Sequence, residues 1–345
     1  MITSAERLEG MSLENGWRVL ERVPRSPDAT GSKFSVGYIV ESATGRLAFL
    51  KALDFSRAFA APDPSRMIQS LTEAFNFERD VLKKCRGLDR VVTAIDDGLV
   101  RIEGALDGGV VHYLIFELAQ GDVRSQAVVS QRFDIAWSLR CLHHVATGLK
   151  QLHSRSIAHQ DLKPSNVLVY SRHDSRLADL GRAAYQGHSP PHEDLDVAGD
   201  PAYAPPELLY HSVVPGWHPR RCGCDIYLLG SMVMFFFTGM GTTAHLAKEL
   251  DPAHSWNNWQ GTYSEVLPFL HAAFGRILVD FKGQVDPTVR DDMTGIVKDL
   301  CEPDPALRGH PRNRNHIATQ YSLERYVSRF DLLARRAEAG LRSKN

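Results

Sequence analysis

At 345 residues with 43% hydrophobic content, the chain is long enough for two domains or lobes with real cores, and its composition excludes a predominantly disordered protein. A formal net charge of −1 offers no global field for nucleic acid or an anionic membrane. The five cysteines (Cys85, Cys141, Cys222, Cys224, Cys301) are few, odd in number and scattered, which excludes a disulfide framework and suits a reducing compartment.

The first sixteen residues, 1–16, lack the apolar core of a signal peptide and are set aside as an N-terminal extension. Trp17 to Leu20, Phe34 to Val40 and Leu47 to Leu53 are rich in β-branched and aromatic residues and are separated by turn signals, so they are predicted strands. Residues 56–66 carry two prolines among small residues and are predicted to be a connection. Met67 to Cys85 then follows a helical pattern through Leu71, Ala74, Phe75, Glu78 and Leu82. Strand character returns at Val91 to Ile95 and Val110 to Leu118. After Gly121, Ile135, Leu139, Leu142, Val145, Ala146, Leu149 and Leu152 recur at helical spacing. His143, His144 and His153 on that helix read as packing or surface residues. Further helices are predicted at 225–238, between 265 and 302, and at about 319–338. The most apolar run, Ile226 to Phe237, falls short of the roughly 20 residues that span a bilayer and is predicted to be a buried helix. Strands first and helices afterwards make an α+β chain with a boundary near residue 118. A cytoplasmic protein with neither nucleic-acid nor membrane partners is expected.

The densest chemistry lies in His159-Gln160-Asp161-Leu162-Lys163-Pro164-Ser165-Asn166, followed by Asp179-Leu180-Gly181. Asp161 can accept a hydrogen bond from an incoming hydroxyl and aim its lone pair. Lys163 can neutralise charge on a transferring phosphoryl group. Asn166 and Asp179 offer the one or two hard oxygens that magnesium takes from protein when phosphates and water supply the rest. At these spacings the four residues fit phosphoryl transfer from ATP.

With these motifs the chain resembles the eukaryotic-like, Hanks-type protein kinases. The resemblance spans roughly residues 17–335. His159-Gln160-Asp161 is similar to the family's His-Arg-Asp loop, Asp179-Leu180-Gly181 to its Asp-Phe-Gly, and Gly199 to Glu207 to the stretch ending in Ala-Pro-Glu. Asp225 resembles the aspartate opening the large buried helix, and Arg308 the late arginine that pairs with the Ala-Pro-Glu glutamate, here Glu207. Lys51 in Ala48-Phe49-Leu50-Lys51 looks like the lysine on the α- and β-phosphates, with Glu78 as helical partner and Glu73 in reserve. Phe116 to Ala119 looks like the hinge, where Glu117 and Ala119 would meet adenine through their backbones. Gly31, Gly37, Phe49 and Leu168 complete the implied nucleotide site; Asp122 either reaches the ribose or caps a helix. His159 is implied to pack beneath the loop. The implied fold has two lobes: a small antiparallel β lobe with one main helix (17–116), a hinge (117–121) and a larger, mostly helical lobe (122–338), with a tail at 339–345. The implied cofactors are ATP and Mg2+, and the implied substrate is a protein serine or threonine. Regulation would come from a separate partner, residues 56–70 or the two ends.

The chain departs from the family pattern at four places. Thr30 to Gly37 keeps only two glycines of the phosphate loop. Phe49 stands where the family has alanine and Gly37 near a valine position, which suggests a swap of size. Gln160 replaces an arginine that in many relatives binds a phosphorylated activation segment, so activity is expected without phosphate on residues 182–198. Asp200 replaces a threonine and would repel Asp161 unless a cation such as Lys163 lies between them. The thin glycine loop, Phe49 and Asp200 leave a pseudokinase scaffold open. The acid–asparagine–acid triad also leaves open a small-molecule kinase, although Glu207, Asp225 and Arg308 speak against it.

Overall fold

A computed structural model describes residues 2–24, 34–105, 107–129, 134–314 and 319–342. They form two compact units, one of residues 1–87 and 92–119, the other of residues 88–91 and 120–345.

The first unit holds strands β1 (Arg18–Arg22), β2 (Ser35–Glu41) and β3 (Leu47–Leu53), helix α1 (Pro64–Lys84), and strands β4 (Ala94–Arg101) and β5 (Val110–Glu117). The strands make one antiparallel sheet in the order β1-β2-β3-β5-β4. Side chains alternate across the pleat, so Val36, Tyr38, Val40, Ala48, Leu50 and Ala52 share a buried face while Gly37, Phe49 and Lys51 share the other. The buried face is closed by the N-terminal segment. Ala5, Leu8, Leu13 and Trp17 join its core, and the Tyr38 hydroxyl donates to the Ala5 carbonyl at 2.7 Å. The described part of the N-terminal extension, residues 2–16, is thus the cover of this sheet.

Two element boundaries in this unit differ from those expected. Helix α1 begins at Pro64, inside the expected connection. Asp63 caps it by accepting from Arg66 N at 3.0 Å, and proline is tolerated in a first turn whose N–H groups have no helical partner. Strand β4 starts at Ala94 and runs on through Asp96-Asp97-Gly98 to Arg101, past the Ile95 end expected for it. Asp96 is used there by Asn15 and by the Trp17 indole at 3.1 Å, and a Cβ at Gly98 would collide with the Tyr113 hydroxyl. Val91, expected in this strand, instead bridges Leu177 in the second unit.

The second unit continues with β6 (Gly121–Asp122), α2 (Val123–Val129), α3 (Ile135–Ser154), β7 (Ile157–Ala158), β8 (Val167–Ser171), β9 (Asp174–Leu177), β10 (Ala184–Tyr185) and α4 (Pro206–Leu209). Helices α5 (Gly223–Thr238), α6 (Thr242–Glu249), α7 (Tyr263–Gln284), α8 (Arg290–Leu300) and α9 (Glu324–Arg342) follow. Two small sheets, β6-β8-β9 and β7-β10, frame the loops that carry His159 to Asn166 and Asp179 to Gly181. Helix α5 is buried on nearly all sides, with Ile226, Tyr227, Leu229, Met232 and Val233 in the core. A π turn, His218–Cys222, runs into it, giving 21 continuous residues. That is long and apolar enough to cross a membrane by length and composition, more than the sequence run suggested, yet most of it is packed inside this unit. Helix α9 starts later than expected because residues 319–323 form a turn tied down by Gln320, whose amide donates to the carbonyls of Pro305, Ala306 and Arg308. It lies on α3, where Arg140 bridges Asp331 at 3.0 Å and Glu338 at 2.9 Å.

Candidate active site

In the first unit, Lys51 Nζ lies 2.9 Å and 3.0 Å from the two carboxylate oxygens of Glu78. Glu78 shares the buried face of α1 with Phe75, Val81 and Leu82, whereas Glu73 accepts from Gln69 on an exposed face. The partner expected first is therefore the one in contact. Phe49 pairs with Phe116 across β3 and β5, and its ring lies over Gly37: a Cβ there would meet Phe49 Cε2 at 2.8 Å. The expected exchange of size is thus present in the packing. Glu117 ends β5 opposite Ala48, and Ala119 closes the unit. Gly31 lies outside the described residues.

In the second unit, the loop between β7 and β8 is held from below by Asp225, fully buried in the first turn of α5. Asp225 Oδ2 accepts from His159 N at 2.8 Å and lies 2.8 Å from His153 Nε2, while Oδ1 accepts from Gln160 N at 2.8 Å and Gln160 Nε2 at 3.1 Å. Burial works against charge on His153, but Asp225 and Cys222 outweigh it and push the imidazole up to about 10. Burial likewise opposes ionisation of Asp225, and His153 outweighs that and holds the carboxyl below its ordinary value. The Asp161 N–H donates to His159 Nδ1 at 3.3 Å, which assigns the hydrogen to Nε2, donating to the Ala178 carbonyl at 3.0 Å. His159 is fully buried beneath the loop.

Asp161 is buried and its two carboxylate oxygens are differently engaged. Oδ1 accepts from Asp200 N at 2.8 Å. Oδ2 accepts from Asn166 Nδ2 at 3.0 Å and lies 3.2 Å from Lys163 Nζ. Lys163 is also 3.3 Å from Asp200 Oδ2, so the cation stands between the two acids as their charges require. Burial pushes the Asp161 carboxyl up; Lys163 opposes that and Asp179 adds to it. Asn166 Nδ2 also donates to the Asp161 carbonyl at 2.7 Å, which commits the amide nitrogen and leaves Oδ1 as the oxygen donor. Asp179 has φ 59° and ψ 73°, left-handed values unusual for a residue with a side chain. Gly199 permits the approach of the following segment, because a Cβ there would meet Asp161 Oδ1 at 2.7 Å and strike the Gln160 carbonyl.

Asp122 caps α2 by accepting from Ser125 N at 2.8 Å, and it pairs with Leu168 across β6 and β8. Glu207 and Arg308, both buried, form a two-pronged ion pair at 2.6 Å and 2.7 Å. The sequence reading missed a third group. Arg221 is buried against Gln160 and reaches Glu193 at 2.8 Å, with Arg220 beside it at 3.0 Å. The only sequence signal was a pair of arginines next to a buried helix.

Residues 36–317, well over half of the chain, match the family described as the protein kinase domain. A calcium/calmodulin-dependent protein kinase type II from Caenorhabditis elegans is 28% identical over 57% of this chain and 28% of its own length. An Aurora/IPL1-related protein kinase 2 from the same organism is 30% identical over 39% of this chain and 41% of its own length. An Aurora kinase from Debaryomyces hansenii is 32% identical over 37% of this chain and 30% of its own length. The matches cover less than half the length of each of these relatives. An antiparallel sheet unit, a mostly helical unit, the Lys51–Glu78 pair and the Asp161 loop agree with that match: the chain belongs to the protein kinase family.

Proposed function

We propose that the chain transfers the γ-phosphoryl group of ATP to serine or threonine hydroxyls of a protein substrate, without needing a phosphate on residues 182–198. The observation that carries this reading is the geometry around Asp161. One oxygen is fixed by Asn166 and Lys163 and the other by the peptide of Asp200, so the carboxylate is oriented before substrate arrives. Asp161 would accept the hydrogen bond of the attacking hydroxyl, and Lys163 would offset charge on the transferring group. Asn166 Oδ1 and the Asp179 carboxylate suit magnesium, a hard cation that takes few protein ligands beside phosphates, and they are the residues that would hold it. When bound, that ion neutralises charge on the phosphates. Lys51, oriented by Glu78, is the ligand for the α- and β-phosphates.

Independence from phosphorylation is supported by Gln160. Its neutral amide cannot bind a phosphate as a guanidinium does, and it is already spent on Asp225 and the Arg221 carbonyl. The proposed setting is the cytoplasm.

The test is incubation with labelled ATP and magnesium, with a generic basic protein as acceptor, beside Lys51→Ala and Asp161→Asn. Transfer is expected from the wild type, lost with EDTA and in both variants, and unchanged after phosphatase treatment. Transfer retained by Asp161→Asn, or preferred transfer to a small alcohol, would overturn the reading.

A further inference from the structure

Glu193 lies in the segment between Gly181 and Gly199, on a turn closed by its N–H to the Pro190 carbonyl at 3.0 Å. Its carboxylate takes Arg221 Nη2 on Oε2 at 2.8 Å and Arg220 Nη1 on Oε1 at 3.0 Å. Arg221 has a side chain only 6% exposed, so its guanidinium has left water and needs a fixed anion. Burial, then the neighbouring Arg220, pushes it below the ordinary arginine value. Beside it, His192 is buried and pushed down to about 4, first by burial and then by Arg182 and Arg221. Three arginines thus act on one short stretch, whose Glu193 carboxylate is in contact with two of them.

The same Arg221 is wired to the catalytic loop. Its carbonyl accepts from Gln160 Nε2 at 2.8 Å, and its Nη1 points at Gln160 Oε1 at 3.4 Å. Gln160 immediately precedes Asp161, and Asp225 holds the loop there through the N–H groups of His159 and Gln160. An arginine cluster of this kind matches the geometry of a bound oxyanion.

We propose that Glu193 is a positioning residue: its carboxylate fills an anion site built by Arg220 and Arg221, fixing residues 182–200 against the Asp161 loop in place of a phosphate. This rests on the kinase reading above. It explains how the segment can be ordered although the family's loop arginine is replaced by Gln160. Glu193 is partly exposed, so water can take the place of its carboxylate beside Arg221 and limit the cost of leaving that buried guanidinium without its anion.

The experiment compares wild type, Glu193→Ala and Glu193→Gln in the labelled-ATP assay, with thermal melts of each. Loss of one charge-assisted pair is expected to lower kcat by roughly tenfold or more, with KM for ATP unchanged and melting temperature within a few degrees. Added inorganic phosphate is expected to restore turnover to Glu193→Ala, whose emptied site can admit an anion, and not to Glu193→Gln, whose amide still fills it. An inactive wild type would overturn the kinase reading and this inference with it. An active wild type with equally active variants, or a loss that phosphate leaves untouched in Glu193→Ala, would overturn this inference alone.

Discussion

Arg308→Met is expected to unfold the helical unit more readily than any surface change. Arg308 is fully buried and donates all its N–H groups: Nε to the Glu302 carbonyl at 2.9 Å, Nη1 to Glu207 Oε1 at 2.6 Å and to the Gly223 carbonyl at 3.2 Å, Nη2 to Glu207 Oε2 at 2.7 Å and to the Pro303 carbonyl at 3.3 Å. Removing the guanidinium leaves Glu207, 2% exposed, as a buried carboxylate without its cation. Breaking such a pair from one side costs about 3–5 kcal/mol. With a denaturant slope of about 3 kcal/mol per molar urea, the midpoint should fall by roughly 1 M or more. Four of the five tryptophans, Trp137, Trp217, Trp256 and Trp259, lie in this unit, so fluorescence reports its unfolding. The double variant Glu207→Leu with Arg308→Met removes both charges and should recover most of the loss, because an apolar pair of similar volume needs no counter-charge. A single variant that loses less than about 1 kcal/mol would refute the reasoning, as would a double variant as unstable as the two singles added together.

Three further outcomes follow from the same geometry. Activity requires ionised Asp161, whose carboxyl is raised mainly by burial, so the acid limb of the kcat/KM profile should lie above the usual aspartate value. Lys163→Met removes the cation that opposes the shift and should move that limb further up; a limb that stays in place would contradict this. His153 is raised to about 10, so the stability it adds is complete below its unfolded value of about 6.5 and is lost as pH rises towards 10; melts of wild type should show that decline and those of His153→Gln should not. Phe49→Ala is expected to weaken nucleotide binding by about tenfold through lost apolar contact, and Gly37→Val to do so by colliding with the ring. Titration calorimetry of the two single variants and the double, in which valine fills the space vacated by Phe49, should show the double binding better than either.

The site was legible where its chemistry is written in consecutive residues. The stretch from His159 to Asn166 needs its acid, lysine and asparagine within one turn of chain, and spacing alone carries that. Glu78 and Glu73 were harder, since both lie on one helix five residues apart and only one can face β3. What decides between them is the buried stripe of Phe75, Glu78 and Leu82, visible once the helix has a sheet to lie on. The start of α1 was hidden because Pro64 reads as a breaker, although proline breaks a helix only past its first turn. The cover formed by residues 4–17 was not legible at all: Leu8, Leu13 and Trp17 follow no single period, and their burial is decided by the exposed sheet face they meet. The contact between Glu193 and Arg221 joins two charged residues far apart in sequence, and no local pattern distinguishes such a pair from solvated neighbours.

Gln160 shows how a departure from a family pattern can be consistent with its surroundings. It holds φ at 65°, a left-handed value that disfavours most side chains, and compensates with two donations to Asp225, one from its peptide and one from its side chain. The side-chain amide donates to the Arg221 carbonyl and presents an oxygen to the Arg221 guanidinium. An arginine at this position could donate but never accept. It would also set a second guanidinium against Arg221 inside the fold, where Glu193 is the carboxylate in contact. The glutamine and the displaced arginine therefore belong together: once position 221 supplies the buried cation, position 160 needs a neutral group that can both accept and donate.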